Sequence, residues 1–335
     1  MYKTKDDGKG HTKKTKAIVI MVASALLLYI GFVIYINRPI TATVELSEIR
    51  VSDIPLVAHD TPAPSFNLRS IDTLPSSDGS GVRDLRFFDL SNAKLLDNVA
   101  ELGQATFSSN TVWPASIPNN FSPEEILSLG KNPGLGVRAL HERGITGEGV
   151  GIAIIDFNIL LSHEQYASNL RLYELYRTVN RTAVMHGPAV VAVAVGENTG
   201  VAPKADLFFI ATMWGVYLPP FAIPGYSRIV SSIDRILEIN NYLPEFVPTD
   251  SRTTASHTGD SDYIFLRRGG NSLAAPWLAG LYALCVQVYP NISPDIFITL
   301  AFETGDILHR NDYTLGTIVN PIRLIEALES ISKGR

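Results

Sequence analysis

The sequence predicts an α/β domain built on a largely parallel sheet with helices on both faces, preceded by one membrane-crossing helix. Two observations predict it. From residue 131 onward, short continuous apolar runs alternate with longer helix-patterned segments, the rhythm of strand-helix-strand units. Near the N-terminus, Ala17 to Ile36 is a run of twenty residues without a charge, long enough at about 1.5 Å per helical residue to cross a hydrocarbon layer of about 30 Å.

Composition sets the outer bounds. The 335 residues are 46% hydrophobic and 18% charged, enough apolar matter for at least one sizeable core, which excludes wholesale disorder. With 28 basic and 33 acidic residues the net charge is -5, so nucleic acid is not expected as a partner. The single cysteine, Cys285, can form no internal disulfide and has no paired spacing for a structural zinc site.

Residues 1–16 carry six lysines against Asp6 and Asp7, a basic tail of +4 that leaves -9 on the rest. Basic residues before the apolar run, and only Arg38 close behind it, orient the predicted helix 17–36 with the N-terminus in the cytoplasm and the remainder outside the cell membrane. A removable secretory signal is the rival reading. Its apolar core is usually about 7 to 15 residues, shorter than this one, and TAT at 41–43 is a weak cleavage signal. The lipid bilayer is therefore an expected partner of residues 17–36.

Residues 37–83 are rich in Ser, Asp, Pro and Thr and show no sustained period, which reads as a stalk. Residues 84–130 bring recurrent leucines and aromatics that must pack somewhere, a segment expected to dock on the main domain at 131–330. Within it FSPEEILSLG predicts a short helix: Ser122 is the N-cap, Pro123 the first helical residue, and acidic residues fill the first turn. Next, LGVRALHERG reads as helix and GVGIAIID as a strand buried on both faces. HGPAVVAVAVG reads as helix, ADLFFIAT as buried strand, and SRIVSSIDRILEIN, residues 227–240, as an amphipathic helix. SLAAPWLAGLYALCVQVYP is a strongly apolar helix in which Pro276 is placed in the first turn.

In such an architecture ligands bind beyond the carboxyl ends of the strands. Three polar residues fall where that rim would gather them: Asp156 at a strand end, His186 at one helix start and Ser272 at another. Each alone is an ordinary cap or turn residue. Together, Asp, His, Ser is one of the known chain orders of a nucleophilic triad. A histidine that takes its proton makes the serine hydroxyl a nucleophile, and a buried carboxylate fixes the histidine tautomer and stabilises its charged form. Other patterns fail. The glycines of GITGEGVG precede a strand, whereas a dinucleotide loop follows one. His141-Glu142 and His163-Glu164 lack the second histidine of a zinc protease helix and read as surface residues, as does His257 in a polar loop. Arg267-Arg268 reads as a solvated strand end that could also pair with an acidic substrate residue.

GITGEGVGIAIID, HGPAVVAVAVGENTGVAPKADLFFI and GGNSLAAPWLAGLYAL resemble, in order, the three signature blocks of the subtilisin-like serine proteases. GTIVNPIRLIEAL resembles the closing helix of that family, and TVWP with GKNPGLG the lead-in of its membrane-anchored bacterial members. The resemblance implies a subtilisin-like fold and a serine endopeptidase hydrolysing polypeptide substrates, with Asp156, His186 and Ser272 as catalytic residues. It implies no cofactor for the chemistry. Family members often bind structural calcium, yet no acidic loop here is specific enough to name ligands.

The chain departs from the family pattern in four places. Asp156-Phe157-Asn158 replaces Asp-Thr-Gly, His186-Gly187-Pro188-Ala189 replaces His-Gly-Thr-His, and Asn271 replaces the Thr before the serine. The interval from His186 to Ser272 is short, as if one strand-helix-strand stretch, with a substrate-binding strand and the oxyanion-hole asparagine, were missing. Neither Asn240 nor Asn241 matches that motif. The domain is thus expected to be shortened. A catalytically impaired relative acting as a surface binding or scaffold protein is the alternative to an active enzyme.

Overall fold

The computed structural model describes residues 61–175, 181–211, 216–218, 221–223, 245–310 and 313–333, all within the compact unit Pro55–Arg335. The membrane helix expected over 17–36 and the helix expected over 227–240 lie outside the described residues. Among the described residues no helix is long and apolar enough to cross a membrane.

The chain opens with short strands β1 (Arg69–Ser70), β2 (Arg83–Asp84) and β3 (Phe88–Asp89), helix α1 (Val99–Leu102) and strand β4 (Ala105–Ser108). β1 pairs with β3 and β2 with β4, both in parallel. The leucines and aromatics that needed a partner find one another. Leu85, Leu90, Leu102, Phe107, Phe121 and Phe265 form a small core of their own, with the Phe107 ring 5.4 Å from Trp113 and 5.3 Å from Phe265. The stretch 61–83, read as stalk, does not lead freely away from this body. Thr61 is buried, its Oγ1 accepts from Leu161 N at 3.2 Å, and Pro62 O accepts from Ala183 N at 3.2 Å. Its polar composition conceals these contacts because they are made by backbone groups and one hydroxyl.

Helix α2 (Pro123–Gly130) begins as expected, with Ser122 Oγ accepting from Glu125 N at 3.3 Å, and α3 (Val137–Glu142) follows. Then come β5 (Gly151–Asp156), β6 (Leu170–Leu175), α4 (His186–Val195) and β7 (Asp206–Ala211). β5 and β6 both pair in parallel with β7, giving the order β5-β7-β6 with Asp156 opposite Ala211. Among the described residues this sheet is covered on one face. Ile152, Tyr173, Leu207 and Phe209 point into the main core with α4, where every residue from Gly187 to Val195 is buried. The opposite face is open: Ala153 and Ile155 are exposed, Ile155 by 56%, and Phe208 and Ile210 are half-buried. GVGIAIID therefore forms a strand without the two-sided burial expected of it, since a continuous apolar run does not show whether both faces find cover.

The hairpins β8 (Val216–Leu218) with β9 (Phe221–Ile223), and β11 (Arg252–Ala255) with β12 (Tyr263–Leu266), flank the short strand β10 (Glu245–Phe246). Helix α5 (Asn271–Val288), α6 (Pro294–Thr304), β13 (Asp306–Arg310), β14 (Tyr313–Ile318) and α7 (Pro321–Lys333) complete the chain. β12 also pairs antiparallel with β4, so β11-β12-β4-β2 is one mixed sheet built from both ends of the sequence. β10-β14-β13 is a third sheet. The described strands thus form one three-stranded parallel sheet, two mixed sheets and two two-stranded pairs. Pro276 lies one turn deeper than expected: α5 begins at Asn271, so the missing proline N–H is the one that would bond the Ser272 carbonyl.

Candidate active site

β5 ends at Asp156, 4% exposed, where the chain turns back through Phe157 and Asn158. Phe157 N donates to Asp156 Oδ1 at 2.6 Å. Asn158 ties the outgoing chain to the segment that returns before α4: its Nδ2 donates to Thr182 O at 3.2 Å, and its carbonyl accepts from Val184 N at 2.9 Å. His186 then opens α4 at the strand end. The first turn can approach because Gly187 has no side chain; a Cβ there would lie 2.2 Å from Phe157 O.

This approach brings His186 Nδ1 to 2.8 Å from Asp156 Oδ1 and 3.0 Å from Oδ2. The hydrogen bond with Asp156 raises the imidazole pKa above its ordinary value, and partial burial opposes the rise. The Phe157 ring stands at 87° to the imidazole with centroids 6.0 Å apart, an edge contact. With Nδ1–H donating to the carboxylate, the neutral ring keeps a lone pair on Nε2.

Ser272 is the second residue of α5 and half-buried. Gly270, at φ +61°, allows the chain to turn into the helix. The helix start provides N–H groups with no intrahelical acceptor and a positive dipole end beside the hydroxyl. Ser272 and His186 line one cleft of about 300 Å³. Of the three residues expected to converge, Asp156 and His186 are hydrogen-bonded, and Ser272 lines a cleft with His186. No hydrogen bond joins Ser272 to His186 among the described residues.

Sequence reasoning missed the far wall of this cleft. Asp78, Ser80, Val82, Asp84 and Arg86 line it, all from the stretch taken for the end of the stalk and the start of the docking segment. Asp78 Oδ1 accepts from Ser80 N at 2.8 Å, Ser80 Oγ at 2.6 Å and Val82 N at 3.0 Å. Those bonds hold its carboxyl below the usual range. Asp84 pairs with Arg86 at 2.6 Å, and Arg86 also reaches Met185 Sδ, the residue before His186. The one available signal was Asp78 two residues before Ser80, the pattern of an Asx turn.

The three histidines read as surface residues are not simply solvated. His163 is fully buried and stacks on Tyr166 with ring centroids 5.3 Å apart. His141 Nε2 is 2.8 Å from Val201 O. His257 meets the Phe87 ring edge-on at 6.0 Å, and burial lowers its pKa. Packing by elements remote in sequence, β12 and the segment at 87 among them, covers these rings.

No protein-family model matches the chain, and no curated protein matches it. Among solved structures it is similar to the prenylagaramide maturation protease PagA, with a TM-score of 0.40 and 15% identity over 58% of this chain and 98% of that one. It is also similar to a cold-adapted subtilisin-like serine proteinase, with a TM-score of 0.38 and 14% identity over 52% and 89%.

Proposed function

We propose that the protein is a serine endopeptidase that hydrolyses polypeptides through Asp156, His186 and Ser272, held in the cell membrane by residues 17–36 with its peptidase domain outside. The observation that carries the reading is the contact of His186 Nδ1 with both oxygens of a buried carboxylate, beside a cleft that also holds Ser272 at a helix N-terminus.

In this reading Ser272 Oγ attacks the scissile carbonyl carbon while His186 Nε2 takes the hydroxyl proton. Asp156 keeps the proton on Nδ1 and stabilises the imidazolium. Charge that develops on the carbonyl oxygen faces the free N–H groups at the start of α5. Collapse breaks the C–N bond, the amine leaves with the proton from His186, and water, deprotonated by the same imidazole, hydrolyses the acyl-Ser272 ester. No step requires a metal or an organic cofactor.

One observation favours the second reading, a catalytically impaired relative acting as a surface binding or scaffold protein: Ser272 and His186 share the cleft without a hydrogen bond. A fluorophosphonate probe on the detergent-purified full chain separates the two. Labelling that disappears in Ser272→Ala supports the enzyme. Folded protein that resists labelling supports the binding role.

A further inference from the structure

Five and four residues before Ser272, the chain leaves β12 as Arg267-Arg268. The backbone here is held by the segment before β11 and by β4. Ser251 N donates to Arg267 O at 3.2 Å, Gly269 N to Asp250 Oδ1 at 3.0 Å, and Arg267 N to Thr106 Oγ1 at 3.0 Å. The two side chains part where the strand ends at a bend. Arg267 spends its guanidinium on Ser251 Oγ, 2.5 Å away, and Arg268 turns the other way and lines the cleft with Ser272 and His186.

The other charges of the cleft are engaged. Asp84 and Arg86 neutralise each other, and one Asp78 oxygen is committed to three donors of its own turn. Arg268 is exposed and makes no hydrogen bond among the described residues, although its field reaches Asp78. It presents five N–H donors in a planar fork, the shape that receives a carboxylate through two parallel bonds.

We infer that Arg268 is the specificity residue of this cleft and selects peptides that carry a carboxylate near the bond held at Ser272. The inference rests on the peptide-cleft reading above and adds the substrate class to it. Asp78 lines the same cleft, and its negative charge opposes an incoming carboxylate and weakens the preference. Two sources supply such a carboxylate, an Asp or Glu side chain and a free C-terminus.

The test is fluorescence anisotropy of labelled octapeptides on full-length Ser272→Ala protein in detergent, so that binding is read without turnover. One series is neutral and amidated, one carries a single Asp or Glu at each position, and one is neutral with a free C-terminus. Carboxylate-bearing peptides are expected to bind about three- to tenfold tighter than neutral ones at low salt, with a smaller difference at high salt. Adding Arg268→Gln removes the difference. Adding Asp78→Asn, which keeps the turn acceptor and deletes the charge, enlarges it. The series that shows the gain identifies the source. Equal binding of all series, absence of peptide binding by folded protein, or a preference that survives Arg268→Gln overturns the inference. Failed fluorophosphonate labelling of wild-type protein with the preference intact would overturn the hydrolase and leave the carboxylate site standing. Labelling without a preference would do the reverse.

Discussion

His186 Nδ1 lies within 3.0 Å of both carboxylate oxygens of Asp156, and this hydrogen bond is the main cause of the raised imidazole pKa. A protonated ring cannot accept the Ser272 proton, so hydrolysis is expected to rise with pH through that raised value, above about 6.5. Asp156→Asn removes the cause, which moves the midpoint to lower pH and lowers kcat about 10⁴-fold. A pH-rate profile of both proteins, or an NMR titration of the ring, checks the direction. For stability the sign is opposite. The folded state binds this proton more tightly than the unfolded chain, so the contribution is complete below the unfolded pKa and disappears as pH rises through the folded one.

Gly187→Ala would place a methyl carbon against the Phe157 carbonyl and also 3.0 Å from Ile159 Cγ2. Backbone must move to relieve it. The expected cost is about 1 to 3 kcal/mol, read as a lower Tm. Fluorophosphonate labelling should fall more steeply than stability, because the displaced turn is the one that presents His186. Labelling at the wild-type rate would show that the close approach does not set the imidazole.

The one-sided sheet gives a paired comparison on β5. Ile152 is 7% exposed and faces the core, whereas Ile155 is 56% exposed on the open face. Ile152→Thr should cost about 2 kcal/mol through lost packing and a buried hydroxyl. Ile155→Thr should stay within about 0.5 kcal/mol. Urea titrations of the two variants decide it, and equal losses would mean that the outer face is covered in solution.

Trp277 is fully buried in α5, and its Nε1 donates to Pro133 O at 2.9 Å. It therefore joins α5, the helix that carries Ser272, to the segment between α2 and α3. Trp277→Ala should cost about 3 to 5 kcal/mol, and Trp277→Phe less, since it restores most of the volume and loses only the donor. Thermal unfolding of both variants measures the difference.

The placement of Asp156, His186 and Ser272 at element ends was legible because the local signals are strong: a strand that closes on an acid, a helix that opens on a histidine, glycines before a serine. The helices over 123–130 and 271–288 were legible from cap chemistry and from apolar length. What lay hidden was the long-range part. Nothing in Arg83-Asp84 announces a parallel pairing with Ala105-Thr106, because a two-residue strand has no period to detect. The burial of His163 depends on a hairpin turn about a hundred residues later, whose Asp262 carbonyl lies 2.9 Å from its Nε2. The open face of β5 was equally invisible, since burial on a strand is decided by its neighbours.

The pairing of β2 with β4, and of β4 with β12, has a practical consequence for dissection of the chain. A fragment begun at α2 would keep all three proposed catalytic side chains and still lose the opposing wall, leaving β12 a bare edge and the acid-base pair open to bulk water. Such a fragment would invite edge-to-edge aggregation, and its inactivity would say nothing about the chemistry of the intact protein.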